Sequence, residues 1–311
     1  MQIIIAGGSG LIGRGLTESL IQRGHQVVIL SRHPESVNLP AGAQAVRWDP
    51  PSIADWAAQL DDADAVVNLA GASIKGDGFL PSRWTAKRKQ LIRQSRVDVG
   101  QALTAAIRHV KKKPKVFIQA SAVGYYGPCG DEVISESSPA GSDFLASVCQ
   151  DWEASTTEVE QFGVRRAVIR TGLLLALAGG AFPLLALPFR IFAGNWFGSG
   201  RQYYPWIHYE DHISALRFLI EHEQTQGVFN LSAPTPVTNR EFARTLGRVM
   251  QGPVWMPVPR VALQLALGEV STVVMDGQQA VPERLQTAGF IFTYPDLEPA
   301  LNNLLGNKKP R

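Results

Sequence analysis

Three observations predict a doubly wound α/β fold, a parallel sheet covered by helices on both faces. Short apolar runs recur at 3–6, 27–30, 65–67, 116–118 and 168–169. Stretches with helical spacing of apolar residues lie between several of them. A glycine-rich turn, Gly7-Gly8-Ser9-Gly10-Leu11-Ile12-Gly13, directly follows the first run and opens the first helical stretch.

The first run, 3–6, is apolar throughout, as suits a parallel strand buried on both faces. The helix after it turns Leu16 and Leu20 inward, with Leu11 or Ile12 a turn earlier, and Gly24 stands where a left-handed cap ends a helix. A second strand ends at Leu30-Ser31-Arg32. Residues 43–48 read as a third strand, and Trp56 and Leu60 as part of a short helix. A fourth strand over 65–69 runs into Ala70-Gly71. Residues 82–110 form a basic helix whose buried side is Leu91, Ile92, Val99, Leu103 and Ile107. A fifth strand at 115–120 ends in Ser121-Ala122-Val123-Gly124-Tyr125-Tyr126-Gly127. Ser142 or Asp143 can cap a helix that runs to Phe162 and stops at Gly163, and a sixth strand covers 168–170. After this the pattern becomes loop-rich and aromatic over 179–206. A last strand follows at 227–231, and Thr238-Asn239-Arg240-Glu241 is a capping box.

Glycine at the first turn has a chemical use. Such a turn needs positive φ, and the backbone must approach a pyrophosphate with no Cβ in the way. The helix that follows offers free N–H groups to the phosphates. Two registers satisfy this spacing, Gly8/Gly10/Gly13 and Gly7/Gly10/Gly13. The end of the second strand selects the cofactor. An acid there would hold a ribose 2′-hydroxyl, whereas Arg32 after Ser31 suits a 2′-phosphate. A guanidinium can bind phosphate bidentately, at roughly 1.5–3 kcal/mol for a charged hydrogen bond. The cofactor expected is therefore NADP. Strand carboxyl ends build the site of an open α/β sheet, which places 68–73, Gly71 included, beside it.

Composition narrows the rest. The 311 residues suit a large single unit or two lobes, with an ample core, and 45% are hydrophobic and 18% charged. The net charge of +3 is small and scattered, so nucleic acid is not an expected partner. Lys111-Lys112-Lys113 reads as a solvated helix end. Cys129 and Cys149 form neither a disulfide framework nor a zinc spacing, and no metal is expected. These features suit a reducing, cytoplasmic setting without a signal peptide. The apolar stretch 173–192 is broken by Gly179-Gly180, Pro183, Pro188 and Arg190, short of the ~20 clean residues of a membrane helix. A small molecule is the expected partner of a monomer or homodimer.

Gly7-x-x-Gly10-x-x-Gly13, Asn68-Leu69-Ala70-Gly71, Ser121 with Tyr126-Gly127, Arg170-Thr171-Gly172 and Trp206-Ile207-His208-x-x-Asp211 together resemble the extended short-chain dehydrogenase/reductase superfamily. Further segments bring the chain close to an atypical group within it, the YfcH-like epimerase-family proteins, some carrying a SulA-like label. These are Asn230-Leu231-Ser232-Ala233-Pro234, Thr238-Asn239-x-Glu241-Phe242-Ala243 and Ala288-Gly289-Phe290-x-Phe292. The resemblance implies a Rossmann domain over 1–170 plus 205–231. It also implies a smaller α+β lobe over 171–204 plus 232–311, whose last part is a domain of unknown function. It supports the Gly7/Gly10/Gly13 register. It implies NADP contacts from Gly10, Leu11, Ile12, Ser31, Arg32, Leu69, Ala70, Arg96 and the backbone near Leu174.

One element of the superfamily is missing. Its redox members use Tyr-x-x-x-Lys, and no tyrosine of this chain has lysine four residues on. Phe144 and Val148 stand where the pair is expected, and neither can move a proton. Ser121 and Tyr125, at the end of the fifth strand, are the substitute candidates for catalysis. His208, between Ile207 and Tyr209, reads as a structural histidine. The function expected is that of an NADP-dependent oxidoreductase or epimerase-like enzyme. The alternative is a non-catalytic NADP-binding sensor or regulator.

Overall fold

The computed structural model describes residues 1–50, 52, 56–76, 78 and 81–306. Seven strands form one parallel sheet: β1 (Gln2–Ala6), β2 (Gln26–Ser31), β3 (Gln44–Arg47), β4 (Ala65–Asn68), β5 (Val116–Ala122), β6 (Arg165–Thr171) and β7 (Gly227–Leu231). Their spatial order is β7-β6-β5-β4-β1-β2-β3. The order reverses beside β1, between β2 and β4, and leaves a crevice at the carboxyl ends there.

The side-chain period of two divides the core. Ile3 and Ile5 join Leu16 and Leu20 of α1 (Leu11–Gln22) on one face of the sheet. Ile4 and Ala6 join Val99, Leu103 and Ile107 of α2 (Ala86–His109) on the other. A strand apolar at every position is thereby buried on both sides. Helix α2 starts at Ala86 because the Thr85 hydroxyl accepts the Arg88 N–H at 3.2 Å. Likewise Asp143 caps α3 (Phe144–Ala154), accepting the Ala146 N–H at 2.7 Å. The helix expected to reach Phe162 ends earlier. At its end the Ser155, Thr156 and Thr157 hydroxyls bond to the carbonyls of Trp152 and Glu153, in competition with continued helix. A tighter turn continues over Thr157–Phe162 to Gly163, whose φ is +76°.

A second core fills the smaller lobe. Phe182 and Phe189 of α4 (Phe182–Arg190), Tyr204, Trp206, Phe242 and Leu246 of α6 (Asn239–Val249), and Leu301 of a C-terminal helix (Leu297–Leu305) pack together. Most of the large aromatics of 179–206 are therefore core. Between these two segments α5 (Tyr209–Glu221) returns to the sheet and packs on the α1 face through Ile213 and Leu216. Leu285, Phe290 and Phe292 also pack against the sheet core. Among the described residues no helix is long and apolar enough to cross a membrane.

Candidate functional site

The crevice opens into a cleft of about 580 Å³ that runs from the first glycine turn to the smaller lobe. Its floor comes from the carboxyl ends of four strands: Gly7 after β1, Leu69 after β4, Ala120–Ala122 in β5, and Thr171 to Leu174 at and after β6. The glycine turn is shaped for close approach. Gly7 has φ +83°, and a Cβ there would stand 2.7 Å from the Leu69 carbonyl carbon. A Cβ on Gly13 would stand 2.8 Å from the Gly8 carbonyl carbon. Gly10 meets nothing nearer than 3.3 Å, so its missing side chain leaves room in the cleft. Gly8 instead packs on Ile29, where a Cβ would come within 2.6 Å, and it does not line the cleft. The geometry thus favours Gly7/Gly10/Gly13 over the other register. Gly10 begins α1 with no side-chain cap, so the N–H groups of the first turn remain available to an anion.

The expected cofactor residues divide in two. Gly7, Gly10, Leu11, Ile12, Gly13, Leu69, Arg96 and Leu174 line the cleft. Ser31, Arg32, Ala70 and Gly71 lie outside its lining. Arg32 is exposed just past β2, and Gly71 backs Arg96, where a Cβ would come within 3.1 Å of the guanidinium carbon. Arg96 donates to the carbonyls of Ala72 and Ile92 at 3.1 and 2.8 Å. It lies over the Trp152 ring at 4.9 Å. Burial lowers its basicity.

Helix α3 forms one wall through Leu145, Val148, Cys149 and Trp152. These positions repeat at the three- and four-residue spacing of a single helix face. Of the two residues expected at the place of the pair, Val148 is on this wall. Phe144 is not on this wall; its ring packs edge-on to Trp84 at 5.3 Å. The lining pair four residues apart that starts the wall is Leu145 and Cys149, one residue further on. Neither an isobutyl group nor a thiol reproduces a phenol–ammonium pair. Burial and the charge of Glu153 push the Cys149 thiol up to about 11, so it stays protonated.

Ser121 lines the cleft, buried. Its hydroxyl donates to Glu153 at 2.6 Å. Glu153 in turn accepts two hydrogen bonds from Arg170, at 2.9 and 2.8 Å. Arg170 also donates to the Tyr126 hydroxyl at 3.0 Å, and that hydroxyl donates to Asn230 at 2.8 Å. Burial works against the Arg170 charge, but Glu153 outweighs it and leaves the guanidinium more basic than usual. Burial raises the Tyr126 phenol, with Arg170 opposing. Tyr125 is placed differently from the sequence expectation. It does not line the cleft, and its ring stacks on the Arg170 guanidinium at 3.3 Å. Of the two candidates for catalysis, only Ser121 reaches the cleft.

Sequence reasoning missed Glu153 and Arg170 as a buried pair, and it missed the segment 272–278 as a cleft wall. Glu153 lies four residues beyond Cys149, on the same repeat as Leu145, which is a spacing visible in the sequence. His208 is structural. It is buried, and its Nδ1 accepts the Glu210 N–H at 3.2 Å at the start of α5. Among the described residues no cluster of His, Cys, Asp or Glu could hold a metal.

A seven-stranded parallel sheet with a bare glycine turn at its switch point defines a dinucleotide-binding α/β protein. The residues fit such a group, because the turn is held free of Cβ atoms and the helix behind it is uncapped. Residues 3–161 match the NAD dependent epimerase/dehydratase family, and 258–304 match a domain of unknown function, DUF1731. The chain belongs to the NAD dependent epimerase/dehydratase family. It is 39% identical over 313 residues to the epimerase family protein YfhF of Bacillus subtilis, covering 99% of each chain. It is also 39% identical to the epimerase family protein Mb2239 of Mycobacterium bovis, covering 96% of each. The crystal structure of human epimerase family protein SDR39U1 with NADPH superposes with a TM-score of 0.87 at 32% identity, over 99% of this chain and 100% of that one. The UDP-glucuronic acid 4-epimerase of Bacillus cereus, solved with UDP-glucuronic acid and NAD, shares the fold with a TM-score of 0.76 at 18% identity. That match covers 98% of each chain.

Proposed function

We propose that the protein binds NADP(H) in this cleft and acts as an NADP-dependent oxidoreductase or epimerase-like enzyme on a small organic molecule. The observation that carries the reading is the glycine turn, open at Gly10 and backed by the uncapped start of α1. Gly10, Leu11, Ile12 and Gly13 would hold the pyrophosphate, and Arg32, with Ser31, the 2′-phosphate. Leu69, Ala70 and Gly71 would flank the nucleotide, with Arg96 and the backbone at Leu174 further along. When bound, the cofactor would supply or accept hydride. Ser121 would orient a reacting group. Its own proton is engaged by Glu153, so toward the cleft it offers lone pairs. The NADPH complex of a 32%-identical neighbour supports the choice of cofactor.

The same proton accounting favours a second reading, a sensor or regulator without catalysis. Leu145, Val148 and Cys149 on the cleft wall offer no acid pair, and Ser121 has no proton to spare. Calorimetric titration with NADPH and NADH, followed by nicotinamide absorbance with a panel of carbonyl compounds, separates the readings. Oxidation of NADPH by a carbonyl supports the enzyme; tight binding without oxidation supports the sensor; no binding of either nucleotide overturns both. Arg32→Ala should weaken NADPH about 10- to 100-fold and leave NADH nearly unchanged, as expected for losing a charged hydrogen-bonded pair. Equal loss for both nucleotides would remove Arg32 from the phosphate site.

A further inference from the structure

We propose that the part of the cleft beyond Ser121 binds an apolar molecule with a protonated amine head and rejects nucleoside-diphosphate sugars. This rests on the reading that the glycine-turn half holds NADP(H).

The walls of this part are largely aliphatic, including Ile74, Leu145, Val148, Leu185 and Val273. Four of its polar side chains commit hydrogens to the protein itself, and only Gln278 keeps one, its second amide hydrogen. Ser121 donates to Glu153, and Tyr204 donates to the Val274 carbonyl at 2.9 Å. Thr272 donates to the Glu269 carbonyl at 2.8 Å, and Gln278 to the Gly127 carbonyl at 2.7 Å. What Ser121, Tyr204 and Thr272 still present to a ligand is acceptor capacity. A diphosphate, which can only accept, finds one of these donors free, the second Gln278 N–H.

Charge points the same way. Asp143 and Asp276 both line the cleft, and Arg96 is the only Lys or Arg among its described lining residues. The Arg96 guanidinium is buried against Trp152 and already donates to two carbonyls. Arg260 approaches Asp276 at 3.6 Å, but its side chain is 56% exposed and does not line the cleft. The start of α3, which would otherwise draw an anion, is capped by Asp143. Burial holds the Asp276 carboxyl above the usual range. Arg260 opposes this and the charge of Asp143 adds to it. A cation near the two acids would relieve that cost.

The test titrates the full chain calorimetrically, first with NADPH and then, loaded, with 2-phenylethylamine, 3-phenylpropionate and UDP-glucose. The amine should bind at least about tenfold more tightly than the carboxylate of similar shape, and UDP-glucose more weakly than the amine. Asp143→Asn with Asp276→Asn keeps shape and the helix cap while removing both charges. This pair should cost the amine about tenfold and should not weaken the carboxylate. The inference is overturned if the amine fails to bind loaded protein, if carboxylate or UDP-glucose matches it, or if the double variant keeps the preference. The ligand series on the unaltered chain decides the matter even where the variant folds poorly. Failure of NADPH to bind would remove the parent reading as well. NADPH binding with no amine preference removes this inference alone.

Discussion

Arg170 and His212 show how residue chemistry is set by what lies next to it. Arg170 keeps its charge in the interior because Glu153 meets it with both oxygens. Breaking such a pair from one side leaves a buried charge uncompensated, and that typically costs more than the pair contributes. His212 is handled the other way. It is fully buried, its Nε2 faces the Thr171 hydroxyl at 3.0 Å, and burial pushes its pKa down to about 3. The folded chain therefore keeps the ring neutral, while the unfolded chain titrates it near the ordinary histidine value of about 6.5. As pH falls below that value, the unfolded state takes a proton that the folded state refuses. Stability should then drop by about 1.4 kcal/mol per pH unit on the way toward pH 3. His208, also shifted down by burial, adds in the same direction. Urea denaturation at pH 7, 6 and 5 measures the slope. His212→Gln should reduce it by the share of one proton, whatever the variant does to stability at pH 7. An unchanged slope would assign the acid sensitivity elsewhere.

At the scale of the element, the first turn and α3 contrast. The turn is held by backbone against backbone. A Cβ on Gly13 would press on the Gly7 carbonyl and the Gly8 backbone, neither of which is the end of a flexible side chain. Gly13→Ala should therefore displace the turn, costing about 1–3 kcal/mol of stability from overpacking. It should also remove most of the NADPH affinity. Thermal melting with and without NADPH reads both effects; a ligand-induced rise in Tm equal to that of the unaltered chain would show that the turn tolerates the methyl group. Helix α3 is held by its cap and by side chains, so single positions on its cleft face can vary without loss of the helix. Substitution at Leu145 or Cys149 should leave the element intact, with the Asp143 cap unaltered.

For the whole molecule, the two lobes are joined where the chain crosses between them three times, near 171, 205 and 232. Gly172 N–H donates to the Leu231 carbonyl at 3.0 Å, and both the Leu173 and Ala233 N–H groups reach back at 2.6 Å, to the Pro205 and Trp206 carbonyls. Gly172 lies against Pro205 so closely that a Cβ would stand 3.0 Å from its carbonyl carbon and nearer still to the oxygen. Gly172→Ala should push the junction apart. The expected result is a loss of about 1–3 kcal/mol in a denaturant titration, with weaker NADPH binding because the cleft spans both lobes. Full stability and full affinity in that variant would mean that the junction is slack. A cofactor bound only by the folded state raises stability with its concentration, by about 2.7 kcal/mol at a hundred times Kd. The junction defect should therefore be partly rescued by NADPH.

The sequence by itself determined the parallel sheet, the glycine turn and the helix behind it. Unbroken apolar runs, positive-φ glycines and caps such as Asp143 and Thr238 act over a few residues, so their consequences are local and legible. It also determined that no tyrosine stands four residues before a lysine. Only the tertiary structure decided which side chains share the cleft. Whether Phe144 or Leu145 faces it depends on the rotation of α3 against the sheet, and a one-residue step moves a side chain by about 100° around the helix. Ser121, Glu153, Arg170 and Asn230 come from four separate stretches of chain and meet because β5, β6, β7 and α3 pack side by side. The 272–278 wall depends on how the smaller lobe folds back. Such long-range meetings are set by packing of the whole core, and no spacing along the chain encodes them.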